Sequence, residues 1–179
     1  MAYQTLLGGQ IFRFDSVKEV LAKANEEKSG DILAGVAAAS DLERVAAKEV
    51  LSGMLLKDLR EHPVVPYEED DVTRMNQDSI NETLYHQIEN WTVSDLREWI
   101  LSYSTTERQL RDMSRALTSE MVAGVAKLMT NLDLIYGAQK IQVPARCNTT
   151  IGLRGTMATR LQPNHTTDNV EGITASLFE

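Results

Sequence analysis

Arg160 and Gln162, two positions apart near the end of a 179-residue chain, are the side chains whose types and spacing best suit chemistry. They lie in Met157-Ala-Thr-Arg-Leu-Gln162, which reads as a strand. Alternation along a strand puts Ala158, Arg160 and Gln162 on one face and Met157, Thr159 and Leu161 on the other. Pro163-Asn164 ends the run with turn chemistry. A guanidinium has five fixed donors and no acceptor, and a carboxamide has both, so the pair suits a small polar ligand with hydroxyl or amino groups. The same two groups at a strand end also serve as a structural salt bridge or loop anchor. Residue chemistry alone leaves both readings open.

Other chemistry has less support. His62, His86 and His165 form no HxxxH or HxH pattern, so they read as surface or turn residues and not as metal ligands. Cys147 stands alone, which excludes an intrachain disulfide and a thiolate cluster. The acids Glu68 to Asp71 are consecutive and cannot all face one ion, so they are expected to serve the first turn of the next helix. No GxGxxG, Walker A or GxSxG motif is present. Gly152-Leu-Arg-Gly155 is a flexible approach to the strand and only a weak phosphate signal. A net charge of -8 argues against nucleic-acid binding, which needs clustered Lys and Arg. No run approaches the roughly 18 apolar residues of a membrane span, and the N-terminus lacks a basic segment followed by an apolar core. The expected location is the cytoplasm.

The elements that must position the pair are mostly helices. Residues 3–14 place β-formers on both sides of Gly8-Gly9 and predict a short hairpin. Ser16-Val-Lys-Glu19 is a capping box for a first helix reaching the region of Lys28 and closed by Ser29-Gly30. Residues 31–39 are small and apolar and are expected to be buried. Ser40-Asp-Leu-Glu43 starts a helix through Leu51, and Leu55, Leu56 and Leu59 support a short one stopped by His62-Pro63. A helix from Asp71 is expected to break near residues 76–79. Further starts fall at Thr92, Ser104, Thr118 and Asn131. Thr167-Asp168 can cap a last helix carrying Val170, Ile173 and Leu177. Val143-Pro144 ends the helical region, with a boundary between Gln142 and Asn148.

Several blocks carry a family resemblance: TTIGLRGTMATRLQPN at 149–164, GDILAGVAAAS at 30–40, ERVAAK at 43–48, NET at 81–83, LTSEMVAGVAK at 117–127 and DLIYGAQK at 133–140. In one register from about Phe14 to the last residue, the chain resembles the large subunit of ethanolamine ammonia-lyase. The resemblance implies a mainly α N-terminal domain with a β-hairpin over residues 1–147. Residues 148–179 would be the first strand and helix of a (β/α)8 TIM-type barrel, incomplete in this chain. It implies a radical enzyme that uses adenosylcobalamin to convert ethanolamine to acetaldehyde and ammonia.

The family's substrate-binding Arg-x-Gln matches Arg160-Leu161-Gln162. Arg160 would meet the substrate hydroxyl and stabilise charge on its oxygen, and Gln162 would bond the amino group. The cobalamin contacts and the other ligands, an Asn, a Glu and an Asp on later strands, are expected beyond Glu179. Implied partners are ethanolamine, the small subunit and other copies of the large subunit, with microcompartment association left open. The rival expectation is a non-catalytic helical module for subunit association.

Overall fold

The computed structural model describes residues 3–146, 150–157 and 169–178. They divide into two compact units, Met1–Ile141 and Gln142–Glu179.

The first unit opens on strands β1 (Tyr3–Leu7) and β2 (Gln10–Phe14), antiparallel with Leu7 opposite Gln10. Gly8 and Gly9 both take positive φ, 58° and 78°, as the tightest hairpin turn requires. Alternation sends Phe12 and Phe14 into the core and leaves the cross-strand pair Leu6 and Ile11 exposed.

Helix α1 (Val17–Lys23) starts as expected, with the Glu19 N–H donating to Ser16 Oγ at 3.1 Å, but it ends well short of Lys28. Ser29-Gly30 opens a new helix, α2 (Ser29–Leu33), where a stop was expected. The stop lies at Gly35, in the left-handed region at φ 70°. There the Gly35 N–H donates to Ile32 O and the Val36 N–H to Asp31 O, the paired bonds of a Schellman ending. Burial of residues 31–39 is also overturned: Leu33 is 89% exposed, and Ile32 and Val36 are exposed beside it. One turn of helix closed by a glycine projects these side chains outward.

Helices α3 (Asp41–Gly53), α4 (Leu56–Glu61), α7 (Val93–Leu101) and α9 (Ser119–Leu128) enclose the core. Leu51, Leu56, Leu59, Leu96 and Met121 are fully buried. A Cβ on Gly124 of α9 would meet Leu51, Leu59 and Val93 at 3.6 to 3.7 Å, so the missing side chain sets how closely α9 approaches. Two crossing strands of loop tie the starts of α4 and α7, the Leu56 N–H donating to Trp91 O and the Val93 N–H to Met54 O, each 2.9 Å. Between them, α5 (Asp71–Asp78) and α6 (Glu82–Tyr85) are separated by the expected break. Helix α8 (Glu107–Ser114) starts from Thr106, two residues later than expected, and α10 (Asn131–Lys140) from Thr130. No described helix is long and apolar enough to cross a membrane.

Three caps share one chemistry. Backbone N–H groups of Thr73, Thr92 and Thr130 hold the carboxyls of Asp70, Asp95 and Asp133 below the ordinary aspartate value of 3.8. A depressed folded pKa contributes stability that is present above the unfolded value and lost as pH falls through the folded one. The melting temperature is therefore expected to fall as pH drops below 3.8. Asp95→Asn should lower it more at pH 7 than at pH 2.5, because the contribution of the carboxylate shrinks as the pH falls below 3.8. Equal loss at both pH values would show that the charge on Asp95 does not stabilise the fold.

The second unit contains strands β3 (Ala145–Arg146) and β4 (Thr150–Ile151), antiparallel, and helix α11 (Val170–Phe178). The small β3–β4 pairing is absent from the sequence expectations.

Candidate functional site

The approach to Arg160 is a set of fixed turns. Gly152 sits at φ 94°, and a Cβ there would lie 2.5 Å from the Val143 carbonyl oxygen, so only glycine fits. Gln142 Nε2 donates to Gly152 O at 3.4 Å across the same bend. Gly155, at φ 71°, closes a further turn in which the Thr156 N–H donates to Leu153 O at 3.2 Å. The segment expected to be flexible therefore has two positions that demand glycine. Arg160 and Gln162 themselves, with Cys147, His165 and the Thr167-Asp168 cap, lie outside the described residues. Asn169 caps α11, accepting from the Glu171 N–H at 2.7 Å and the Gly172 N–H at 3.3 Å.

His62, His86, Asp70 and Asp71 have structural partners. His62 Nδ1 lies 3.1 Å from Asp58 O, and His86 Nδ1 lies 3.1 Å from Glu89 Oε2; both rings are exposed. Of the consecutive acids, Asp70 caps α5 through the Thr73 N–H at 2.7 Å and Asp71 pairs with Arg74.

Sequence reasoning missed a polar cluster around Arg60. Its guanidinium spans both Glu82 carboxylate oxygens, at 2.9 and 2.5 Å, takes Gln77 Oε1 at 3.1 Å, and lies 4.2 Å from the centre of the Tyr85 ring. The fork geometry holds the Glu82 carboxyl below its usual range and raises the Arg60 guanidinium further. Arg60 and Glu82 are 22 positions apart, so no local periodicity announces the pair. This cluster joins α4 to α6.

The family model for the ethanolamine ammonia lyase large subunit (EutB) matches residues 12–179. The chain belongs to the ethanolamine ammonia-lyase large-subunit family. It is 55% identical over all 179 residues to the "Ethanolamine ammonia-lyase large subunit" of Escherichia coli (strain K12), and equally to the protein of that name from Salmonella typhimurium (strain LT2). In both cases the match covers 100% of this chain and 40% of the relative, so the chain spans about two fifths of the length of the curated relatives it matches.

Several blocks that carry the family resemblance serve the helical unit. Asn81 of NET caps α6, accepting from the Leu84 N–H at 3.1 Å, and Glu82 receives Arg60. Asp133 of DLIYGAQK takes Arg97 Nη2 at 2.8 Å and the Thr130 N–H at 3.0 Å, joining α10 to α7. Lys140 of the same block donates to Ile100 O at 2.8 Å and to Ser102 O, satisfying carbonyls at the end of α7. In LTSEMVAGVAK, Thr118 caps α9 and Gly124 admits its neighbours.

Proposed function

We propose that this chain is the N-terminal part of the large subunit of an adenosylcobalamin-dependent ethanolamine ammonia-lyase, acting with a small subunit to convert ethanolamine to acetaldehyde and ammonia. The observation that carries this reading is the family match over residues 12–179, which runs through Arg160-Leu161-Gln162. Residues 157–162 are proposed to form the first strand of an eight-stranded barrel, with α11 as its first helix. Barrel enzymes place chemistry at the C-terminal ends of strands, which suits Arg160 and Gln162.

Bound to the complete enzyme, the cofactor supplies the radical. The residues that would hold it are expected beyond Glu179, and no described residue is assigned to it. This chain's own share is binding and orientation. Arg160 would donate to the hydroxyl oxygen of ethanolamine and stabilise negative charge developing there. Gln162 would accept from the amino group and fix which end of the substrate faces which partner.

Apolar side chains of the second unit, including Met157, Val143 and Val170, are exposed. A single barrel strand and helix cannot cover one another's apolar faces or satisfy both strand edges. The 179-residue chain alone is therefore expected to give no acetaldehyde from ethanolamine when supplied with cofactor. Acetaldehyde above background would overturn the proposal that the catalytic barrel is incomplete here.

A second reading is compatible with the first. The helical unit is proposed to mediate subunit association, a role favoured by the exposed Ile32, Leu33 and Val36 on a segment whose composition suits burial.

A further inference from the structure

Lys127, in the last turn of α9, lines two furrows of the helical unit, one of about 700 Å³ and one of about 710 Å³. Apolar side chains supply much of their walls, Leu21, Val36 and Ala123 in the first and Leu128 and Leu134 in the second. Lys127 is part-buried, and its Nζ donates to the amide oxygen of Asn25 at 2.9 Å. Asn25 donates in turn from Nδ2 to Asp31 Oδ2 at 3.1 Å, so a neutral amide links the lysine to the carboxylate. The neighbouring lysines are held differently. Lys23 pairs with Glu43 at 3.5 Å and Lys48 with Glu26 at 2.9 Å, whereas among the described residues no carboxylate forms an ion pair with Lys127.

An ammonium in a partly dry site with a neutral partner lacks what ordinarily keeps its proton in place. Burial pushes the Lys127 ammonium down, and the charge of Lys28 adds to that; Asp31 opposes the shift, and Lys48 contributes to it more weakly. A desolvated lysine beside other cations is the arrangement that turns an amine into a nucleophile for carbonyl carbons. The furrows supply the remaining requirement, open space beside Nζ with apolar walls that suit an alkyl group.

We propose that Lys127 is a covalent acceptor site for short aliphatic aldehydes, which it takes as an imine where the two furrows share its side chain. A proton leaves Nζ to water, the freed lone pair attacks the aldehyde carbon, and a C–N bond forms as the carbonyl oxygen takes up a proton. Loss of water then breaks the C–O bond and leaves C=N. Amine and aldehyde thus give imine and water, with no change of oxidation state and no cofactor. Asn25 Oδ1 orients Nζ without supplying the negative charge that would lock its proton on. Acetaldehyde, the product of the proposed activity, belongs to this class of ligand. Only that source rests on the proposed function, and the adduct itself does not depend on it.

The test uses the intact large subunit with its small subunit, in the absence of cofactor and ethanolamine. Dilute acetaldehyde and cyanoborohydride at pH 7 fix any imine as an N-ethyl group, and peptide mapping by mass spectrometry follows each lysine with time. Lys127 is expected to gain the group about tenfold faster than Lys18 and Lys28, which are exposed. Labelling of Lys127 that is absent, or no faster than at those two, would overturn the proposal. Asn25→Asp sets a carboxylate where the amide oxygen stands and should hold the proton on Lys127, slowing its labelling about tenfold while Lys18 and Lys28 keep their rates. An unchanged Lys127 rate in that variant would also overturn it. If the variant does not fold by circular dichroism, the comparison of lysines within the unaltered chain decides. Acetaldehyde formed from ethanolamine with cofactor is read separately: its absence would overturn the proposed activity, while the added aldehyde still judges Lys127.

Discussion

Replacing Arg160 with alanine in the intact large subunit, assembled with its small subunit, is expected to lower kcat by about 100-fold or more. The size follows from removal of comparable preorganised donors aimed at developing charge. Alanine removes both charge and fork, whereas lysine keeps the charge and loses the planar set of donors, so Arg160→Lys should fall between. Because the proposed interaction strengthens as negative charge grows on the substrate oxygen, the loss should appear in kcat and not only in KM. Free guanidinium is expected to restore part of the alanine variant's rate, since it matches the vacated volume and charge. Gln162→Ala, which removes a neutral partner of the amino group, should act mainly through KM. Unchanged kcat and KM in Arg160→Ala, with a lowered melting temperature, would make Arg160 a structural anchor.

A polypeptide of residues 1–142 is expected to melt cooperatively, and Leu59→Ala to lower its stability by about 2–5 kcal/mol, the usual cost of cutting a buried leucine back to alanine. Leu59 is fully buried and lies where α4, α9 and Gly124 come together. Little relaxation is open to α9 there, because Leu51 and Val93 already touch the same glycine. Leu33→Ala is the control. At 89% exposure it should change the isolated polypeptide by no more than about 0.5 kcal/mol. Urea melts of the three proteins check both figures. A broad, non-cooperative transition in the parent would mean that the helical unit needs the rest of the subunit to fold. Equal effects of the two substitutions would contradict the packing described around Gly124.

Much of the helical unit was legible because its signals are local. Gly8-Gly9 between β-formers can hardly make anything but a tight hairpin, and Ser16, Ser40, Thr92 and Thr118 each accept the backbone N–H three residues on. A side-chain oxygen reaching its own first turn depends on a few neighbouring residues, so spacing alone announces it. The resemblance to the ammonia-lyase family was equally readable, since ordered blocks in one register need no coordinates.

Tertiary structure decided what depends on distant neighbours. Composition marked residues 31–39 for burial, yet apolar content says only that a segment would gain from being covered, and among the described residues Leu33 is left exposed. Whether Gly30 or Gly35 ends a helix turned on which backbone could bend into positive φ and return two hydrogen bonds. Arg60 and Glu82, 22 positions apart, meet only because folding brings the last turn of α4 to the first residue of α6. Local chemistry is written in adjacent residues, whereas packing and charge pairing are written in the distances that folding creates.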